Sequence, residues 1–167
     1  MERGPGDSPD IRPVRDDGVE SLVQLTLAAF EPVFPSFERL LGPAICGVIW
    51  PDWRASQRTG VETLCRERDK HAAWVAELDG APVGFIAWDL NPRERTAEVQ
   101  LIAVHPGYQN RGVGTALNVF ALERMKERGV KLVHVDSGGE ESHAPARRSY
   151  EKAAYVSLPL IRYFKDP

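Results

Sequence analysis

Apolar and polar positions change period along this chain. Between 71 and 104 they form three runs of strand length, HAAWVAEL (71–78), VGFIAWDL (83–90) and AEVQLIAV (97–104), separated by DGAP and NPRERT. Asp79-Gly80 is a hairpin signal, because both central residues of the tightest hairpin turn need positive φ. Strands joined by such short turns predict an antiparallel meander. From about Val113 to Arg128 the spacing becomes helical. Leu117, Phe120, Ala121 and the 116/119/122 row are expected to form its buried face. Lys126 and Arg128 suit the negative end of that helix, and Gly129 suits the left-handed position just beyond it. KLVHVDS (131–137) returns to strand spacing. Strand, helix, strand in one sheet predicts a right-handed parallel pair.

The flanks are less regular. Residues 1–9, rich in Gly, Pro and Asp, predict a flexible tail, and 10–167 a single domain. IRPVR (11–15) suits a short first strand. Asp16 or Asp17 can cap a helix over 18–30, with Leu22, Leu25 and Ala29 on one face. Pro32 and Pro35 are expected to break that pattern. Over 36–68 the sequence has helical character cut by Pro43 and Pro51. Pro145 suits the first turn of a helix over about 145–153. The closing run, AYVSLPLIRYFKDP, predicts one or two strands broken near Pro159.

Composition narrows the function classes. With 167 residues the chain is long enough to bury a core, and its formal charge of −3 gives no nucleic-acid footprint. No apolar run reaches membrane-span length, and the first ten residues lack the apolar stretch of a signal peptide. Cys46 and Cys65 lack metal-ligand spacing and read as reduced, buried thiols. A cytoplasmic protein with no membrane, nucleic-acid or metal partner is expected.

The chemistry concentrates in HPGYQNRGVGTAL (105–117), where a strand hands over to a helix. Glycines there let a ligand approach the backbone, and the helix start offers free N–H groups and a positive dipole end. The combination suits a phosphate. A P-loop needs Lys-Ser/Thr after its last glycine, whereas Thr115-Ala116 follow Gly114. A dinucleotide fingerprint needs a small residue at position 117, which is Leu117, and glycines directly after the strand. Asp136, ending the next strand, mimics the ribose-binding acid of that fold. A dinucleotide-binding oxidoreductase therefore stands as the alternative, although the antiparallel strands upstream fit it poorly.

Gln109-Asn110-Arg111-Gly112-Val113-Gly114 resembles the Gln/Arg-x-x-Gly-x-Gly/Ala motif of the GCN5-related N-acetyltransferase (GNAT) superfamily. Its setting is similar too: a strand ending in Ala-Val-His-Pro, a long helix, another strand, then a helix carrying Tyr-Glu-Lys. The resemblance is strong over 97–156 and architectural over 10–96. It implies an α+β (mixed α/β) fold, with a mostly antiparallel mixed sheet, one parallel strand pair and helices on both faces. It also implies transfer of an acetyl group from acetyl-CoA to a primary amine by direct attack. A small-molecule or peptide amine is the implied acceptor, and the resemblance admits a homodimer. A non-catalytic acyl-CoA sensor on the same fold is the third reading.

Further roles follow from the resemblance. Main-chain groups of Gln109, Asn110, Arg111, Gly112, Val113, Gly114 and Thr115 would surround the pyrophosphate. Ile102, Ala103 and Val104 would pair with the pantetheine arm as a strand does, and one of their N–H groups would face the oxyanion. Glu98 is the first candidate base and Asp136 the second. Tyr150 would protonate the leaving thiolate. His143 stands where the family often has an asparagine contacting pantetheine, and Ala146 follows on the same helix. Ala154-Tyr155 replaces the usual Gly-Phe. Arg147 is expected to pair with Glu151, one turn on. Acceptor choice is expected to reside in residues 30–70, with Phe30, Phe34, Trp50 and Trp53 as candidate wall or core.

Overall fold

The computed structural model describes residues 8–165. Five strands lie in the spatial order of the sequence: β1 (Asp10–Pro13), β2 (His71–Leu78), β3 (Ala81–Asn91), β4 (Thr96–Val104) and β5 (Leu132–His134). Pairing is antiparallel from β1 to β4 and parallel between β4 and β5. This mixed sheet differs from the doubly wound sheet that a dinucleotide-binding protein requires. The β2–β3 hairpin turns at Asp79 (φ 51) and Gly80 (φ 76), both left-handed, as the Asp-Gly pair predicted.

One extra residue reshapes β4. Ala87 pairs with Leu101 and Trp88 with Val99, so Gln100 has no partner across the ladder. The alternation of side chains reverses there. Val99 joins the core on one face of the sheet, while Leu101 packs against the core on the other.

Helices cover both faces. α1 (Val19–Phe30) and α3 (Trp53–Arg66) bury Leu22, Val23, Val61 and Cys65 against Phe85 and Val75. α4 (Val113–Glu127) buries Val113, Leu117, Ala121 and Met125 against Ile86, Val83 and Val99. Each such apolar side chain removed from water contributes about 1.5–3 kcal/mol before the entropy of ordering is counted. The buried stripe of α4 runs at intervals of four, so Val119 falls outside it and is 42% exposed. Gly129 (φ 76) ends the helix in the left-handed conformation expected of it. Gly84 on β3 lets α4 sit close: a Cβ there would meet Leu117 Cδ1 and Val113 Cγ1 at 2.9 Å.

Several local expectations are corrected. Neither Asp16 nor Asp17 caps α1; both lie in a 3-10 turn, Asp16–Gly18, and Asp16 meets Arg68 at 2.6 Å instead. α1 ends at Phe30, just before Pro32, as the prolines predicted, but Pro32 and Pro35 also open α2 (Val33–Ile49), where the first N–H groups need no partner. α2 is bent at Gly42 (φ 81, ψ 159), just before Pro43. β5 is shorter than predicted, ending at His134. No strand forms among the described residues after α5 (Ala144–Lys152); residues 156–165 have no regular structure and are exposed. The predicted tail over residues 1–7 lies outside the described residues.

Candidate active site

β4 and β5 are paired only at Thr96–Leu132, Ala97–Val133 and Glu98–His134. Beyond these positions the two parallel strands part, next to the Gln100 bulge. The wedge between them is a cavity of about 550 Å³. Residues 99–104 form one wall and Val135, Asp136 and Ser137 the other. Along that wall β4 keeps β3 on its far side but has no strand on the near side. Its free main-chain groups can therefore take an extended polar arm as an added strand.

The loop after β4 closes one end. Pro106–Tyr108 make a 3-10 turn, and Gln109 folds back so that its Nε2 donates to the Val104 carbonyl at 3.1 Å. Asn110 (φ 61) and Gly112 (φ 88) are both left-handed, a conformation glycine adopts freely. Gly112 caps α4, whose first turn points N–H groups without intrahelical partners along the helix axis. Gln109, Asn110, Gly112, Gly114 and Thr115 line the cleft. Arg148 also lines it from α5, and its Nη2 reaches Asn110 Oδ1 at 3.4 Å. A helix start, open backbone and a nearby guanidinium fit a pyrophosphate. Two members of the predicted set stand apart. Arg111 lies outside the lining, over the Tyr108 ring at 5.3 Å, and the Val113 side chain is in the core beneath α4.

The opposite wall is α5 and the loop before it. Pro145 sits in the first turn of α5, as expected. His143, Ala146 and Tyr150 all line the cleft. Tyr150 is buried, and burial, with a lesser effect from Tyr155, raises its pKa well above the phenol range. It stays a neutral hydrogen-bond donor. Arg147 does not pair with Glu151. Its Nη1 donates to the carbonyls of Gly138 and Glu140, the latter at 2.7 Å, and so ties the loop down. The Glu140 carboxylate accepts from Ser142 Oγ and meets His143 Nδ1. Burial opposes its charge, but those two partners outweigh burial and lower its pKa. The His143 ring stacks on Phe37 of α2, with centroids 5.7 Å apart.

Sequence reasoning missed Asn118, which is fully buried in α4. Its Nδ2 donates to the Gly114 carbonyl (3.1 Å) and to Ser149 Oγ (3.2 Å), linking α4 to α5, the helix of Tyr150. Its signal is a polar residue inside an apolar helical stripe. Glu140 was also missed, because only the folded loop shows what it holds.

The two candidate bases separate. Asp136 lines the cleft. Glu98 is half-buried at the last paired position before the strands part and is not among the lining residues. By strand alternation it shares a face with Asp89, its partner on β3, whose carboxylate meets His71. At the outer end the cleft is walled by Ala29, Phe30, Pro32 and Val33, with Gln57 of α3. Phe34, Phe37, Trp50 and Trp53 lie outside the lining. Phe34 stacks on Trp53 at 4.3 Å and Phe37 on Trp50 at 4.9 Å. Among the described residues, no group of His, Cys, Asp and Glu could hold a metal ion, and no helix is long and apolar enough to cross a membrane.

Comparison with known proteins agrees with this geometry. A model described as the acetyltransferase (GNAT) family matches residues 42–155. An uncharacterised N-acetyltransferase of Methanocaldococcus jannaschii is 39% identical over 83 residues, 47% of this chain and 37% of that relative. A mycothiol acetyltransferase of Thermomonospora curvata is 30% identical over 101 residues, 59% of this chain and 32% of that relative. The chain thus spans about a third of the length of these curated relatives. The fold is similar to that of a PaiA N-acetyltransferase from Thermoplasma acidophilum solved with coenzyme A, with a TM-score of 0.67 and 17% identity over 87% of both chains. Matched over most of its length by the family's pattern, and built on the same fold, this chain belongs to the acetyltransferase (GNAT) family.

Proposed function

We propose that this protein is an N-acetyltransferase that moves an acetyl group from acetyl-CoA to a primary amine by direct attack. The observation that carries this reading is the wedge between β4 and β5, with an anion-binding helix start at one end and a neutral tyrosine on its wall. Main-chain groups of residues 109–115 take the pyrophosphate, and Arg148 adds charge. The free edge of Ile102, Ala103 and Val104 takes the pantetheine arm and directs an N–H at the developing oxyanion. His143 and Ala146 close the far wall.

The amine must lose a proton. Asp136 accepts it in this reading, since of the two candidate bases it is the one that lines the cleft, on the wall formed by residues 135–137. Glu98, at the point where the strands part, is the second reading and would act through water. Tyr150 faces the leaving thiolate. An ordinary thiol has a pKa of about 8.5, well below that of this buried phenol. Tyr150 therefore stabilises the thiolate by donating a hydrogen bond, and full proton transfer is completed as solvent returns. The amine enters past Phe30, Val33 and Gln57. The mycothiol acetyltransferase relative and the peptide and small-amine acetyltransfer implied by the family set the panel to try.

The test is calorimetric titration with acetyl-CoA, with NAD as control, followed by thiol release on a panel of amino acids, aminoglycosides and peptide N-termini. Acetyl-CoA binding with turnover of at least one amine is expected. Tyr150→Phe should lower kcat by about 100-fold or more while leaving cofactor affinity unchanged. Asp136→Asn and Glu98→Gln decide between the bases: the true one removes the acidic limb of the pH–rate profile. Binding without turnover would return the sensor reading, and binding of NAD alone the oxidoreductase.

A further inference from the structure

α5 is short and is held by little packing: of its nine residues only Tyr150 is buried. Its start is tied down by Arg147, which donates to the Gly138 and Glu140 carbonyls. Its middle meets α4 where α4 begins. A Cβ on Gly114 would stand 3.4 Å from Ser149 Cβ, so the missing side chain sets how closely the two helices approach. Asn118 lies one turn further along the same row of α4 and is fully buried. Its amide spans the seam, with Nδ2 donating to the Gly114 carbonyl at 3.1 Å and to Ser149 Oγ at 3.2 Å. The Ser149 hydroxyl donates in turn to the Ala146 carbonyl at 2.7 Å. Packing alone does not call for an amide here. Burying one is unfavourable unless its groups are paired, and Asn118 Oδ1 has no partner among the described residues. A leucine would keep the branched shape without that cost.

What the amide adds is direction, which apolar contacts lack. Ser149 and Tyr150 are neighbours in sequence and stand about 100° apart around the helix. With Ser149 held against α4, Tyr150 is turned to the cleft, which it lines together with Ala146. Asn118 itself lies outside the lining. We infer, given the acetyl-transfer reading above, that Asn118 is a positioning residue: through Ser149 it fixes the rotation of α5, and with it the approach of the Tyr150 hydroxyl to the leaving sulfur. A displacement of about 1 Å at a reacting group costs about 100-fold in rate, so a small rotation of α5 is enough to matter.

The experiment is a double-mutant cycle on kcat, with the full chain and the amine of the panel that turns over best. Asn118→Leu removes the bond to Ser149 and should lower kcat roughly tenfold. Acetyl-CoA affinity, read by calorimetry, should stay within about twofold. In the Tyr150→Phe background the same change should cost less than about twofold, because the group it places is gone. Ser149→Ala should repeat this pattern, and combined with Asn118→Leu it should cost no more than either change alone. A merely structural role lowers kcat equally with and without the Tyr150 hydroxyl; that result would overturn the inference, as would full activity of both single variants. If Asn118→Leu does not fold, Ser149→Ala decides by itself, since it breaks the same bond at a half-buried position. A wild type that binds acetyl-CoA and acetylates no amine would remove the acetyl-transfer reading, and this inference with it.

Discussion

Gly84 is where the sheet limits the position of α4. A methyl group there would stand 2.9 Å from both Leu117 Cδ1 and Val113 Cγ1, and 3.5 Å from the Ala103 carbonyl oxygen. Both side chains are buried, so neither can swing into open space. Overpacking of this kind costs about 1–3 kcal/mol. Alanine also restricts the unfolded chain relative to glycine, which returns about 0.4–1 kcal/mol. Gly84→Ala should therefore destabilise the fold by a net of roughly 1.3 kcal/mol, the difference of the two midpoints, within a range of about 0–2.6. For a chain of this size that lowers Tm by roughly 3–5 °C. The effect should also reach the site, since Val113 is the first residue of α4 and follows Gly112 directly. Relief of the contact lifts the helix start and weakens acetyl-CoA binding. The assay is thermal unfolding with calorimetric titration beside a Gly60→Ala control, a helical position where nothing lies within 4 Å. The control should gain stability. An unchanged Tm and an unchanged Kd for Gly84→Ala would refute the reasoning.

Ala154 sits at φ 65 just after α5, a conformation that costs a non-glycine residue about 1–2 kcal/mol, so Ala154→Gly should raise Tm by a few degrees; urea unfolding checks it. Gly112→Val forces a β-branched residue into φ 88 at the cap of α4 and should abolish acetyl-CoA binding while circular dichroism stays native; unchanged affinity would remove the loop from the site. Burial pushes the Tyr155 phenol up to about 12. The folded state keeps that proton while the unfolded chain loses it near pH 10, so stability should hold up to about pH 10 and fall as pH rises towards 12. Urea midpoints across that window check the sign, and Tyr155→Phe should flatten the fall.

Much of this protein was legible because it rests on local chemistry. Asp79-Gly80 specified its hairpin through the φ values that turn demands. Gly112 and Gly129 marked the two ends of α4, and Pro145 the start of α5. Each is a residue type whose backbone preference acts over a few positions. The order of strands and the parallel return after α4 followed from connection lengths. The helix start after the loop at 109–114 was legible too, since glycines before a helix can be recognised from sequence alone.

The rest depended on partners distant in the chain. Pro32 and Pro35 marked the end of α1, but that they also open α2 depended on the turn the chain makes after Phe30. The row through Val119 looked buried until the sheet chose the stripe through Leu117 and Ala121. Arg147 had a plausible partner in Glu151, but the folded loop offered it two carbonyls held in place by Glu140. Glu98 and Asp136 were both acids near strand ends. The bulge at Gln100 and the parting of β4 from β5 put only Asp136 on the cleft wall. The closing apolar run had strand patterning, but a strand needs a free ladder beside it, and within this chain none was brought to it. Sequence determined the elements and the local φ preferences, which are properties of neighbouring residues. Tertiary structure decided which faces were buried, where two strands separated and which side chains shared the opening, because those outcomes depend on contacts between residues far apart in the chain.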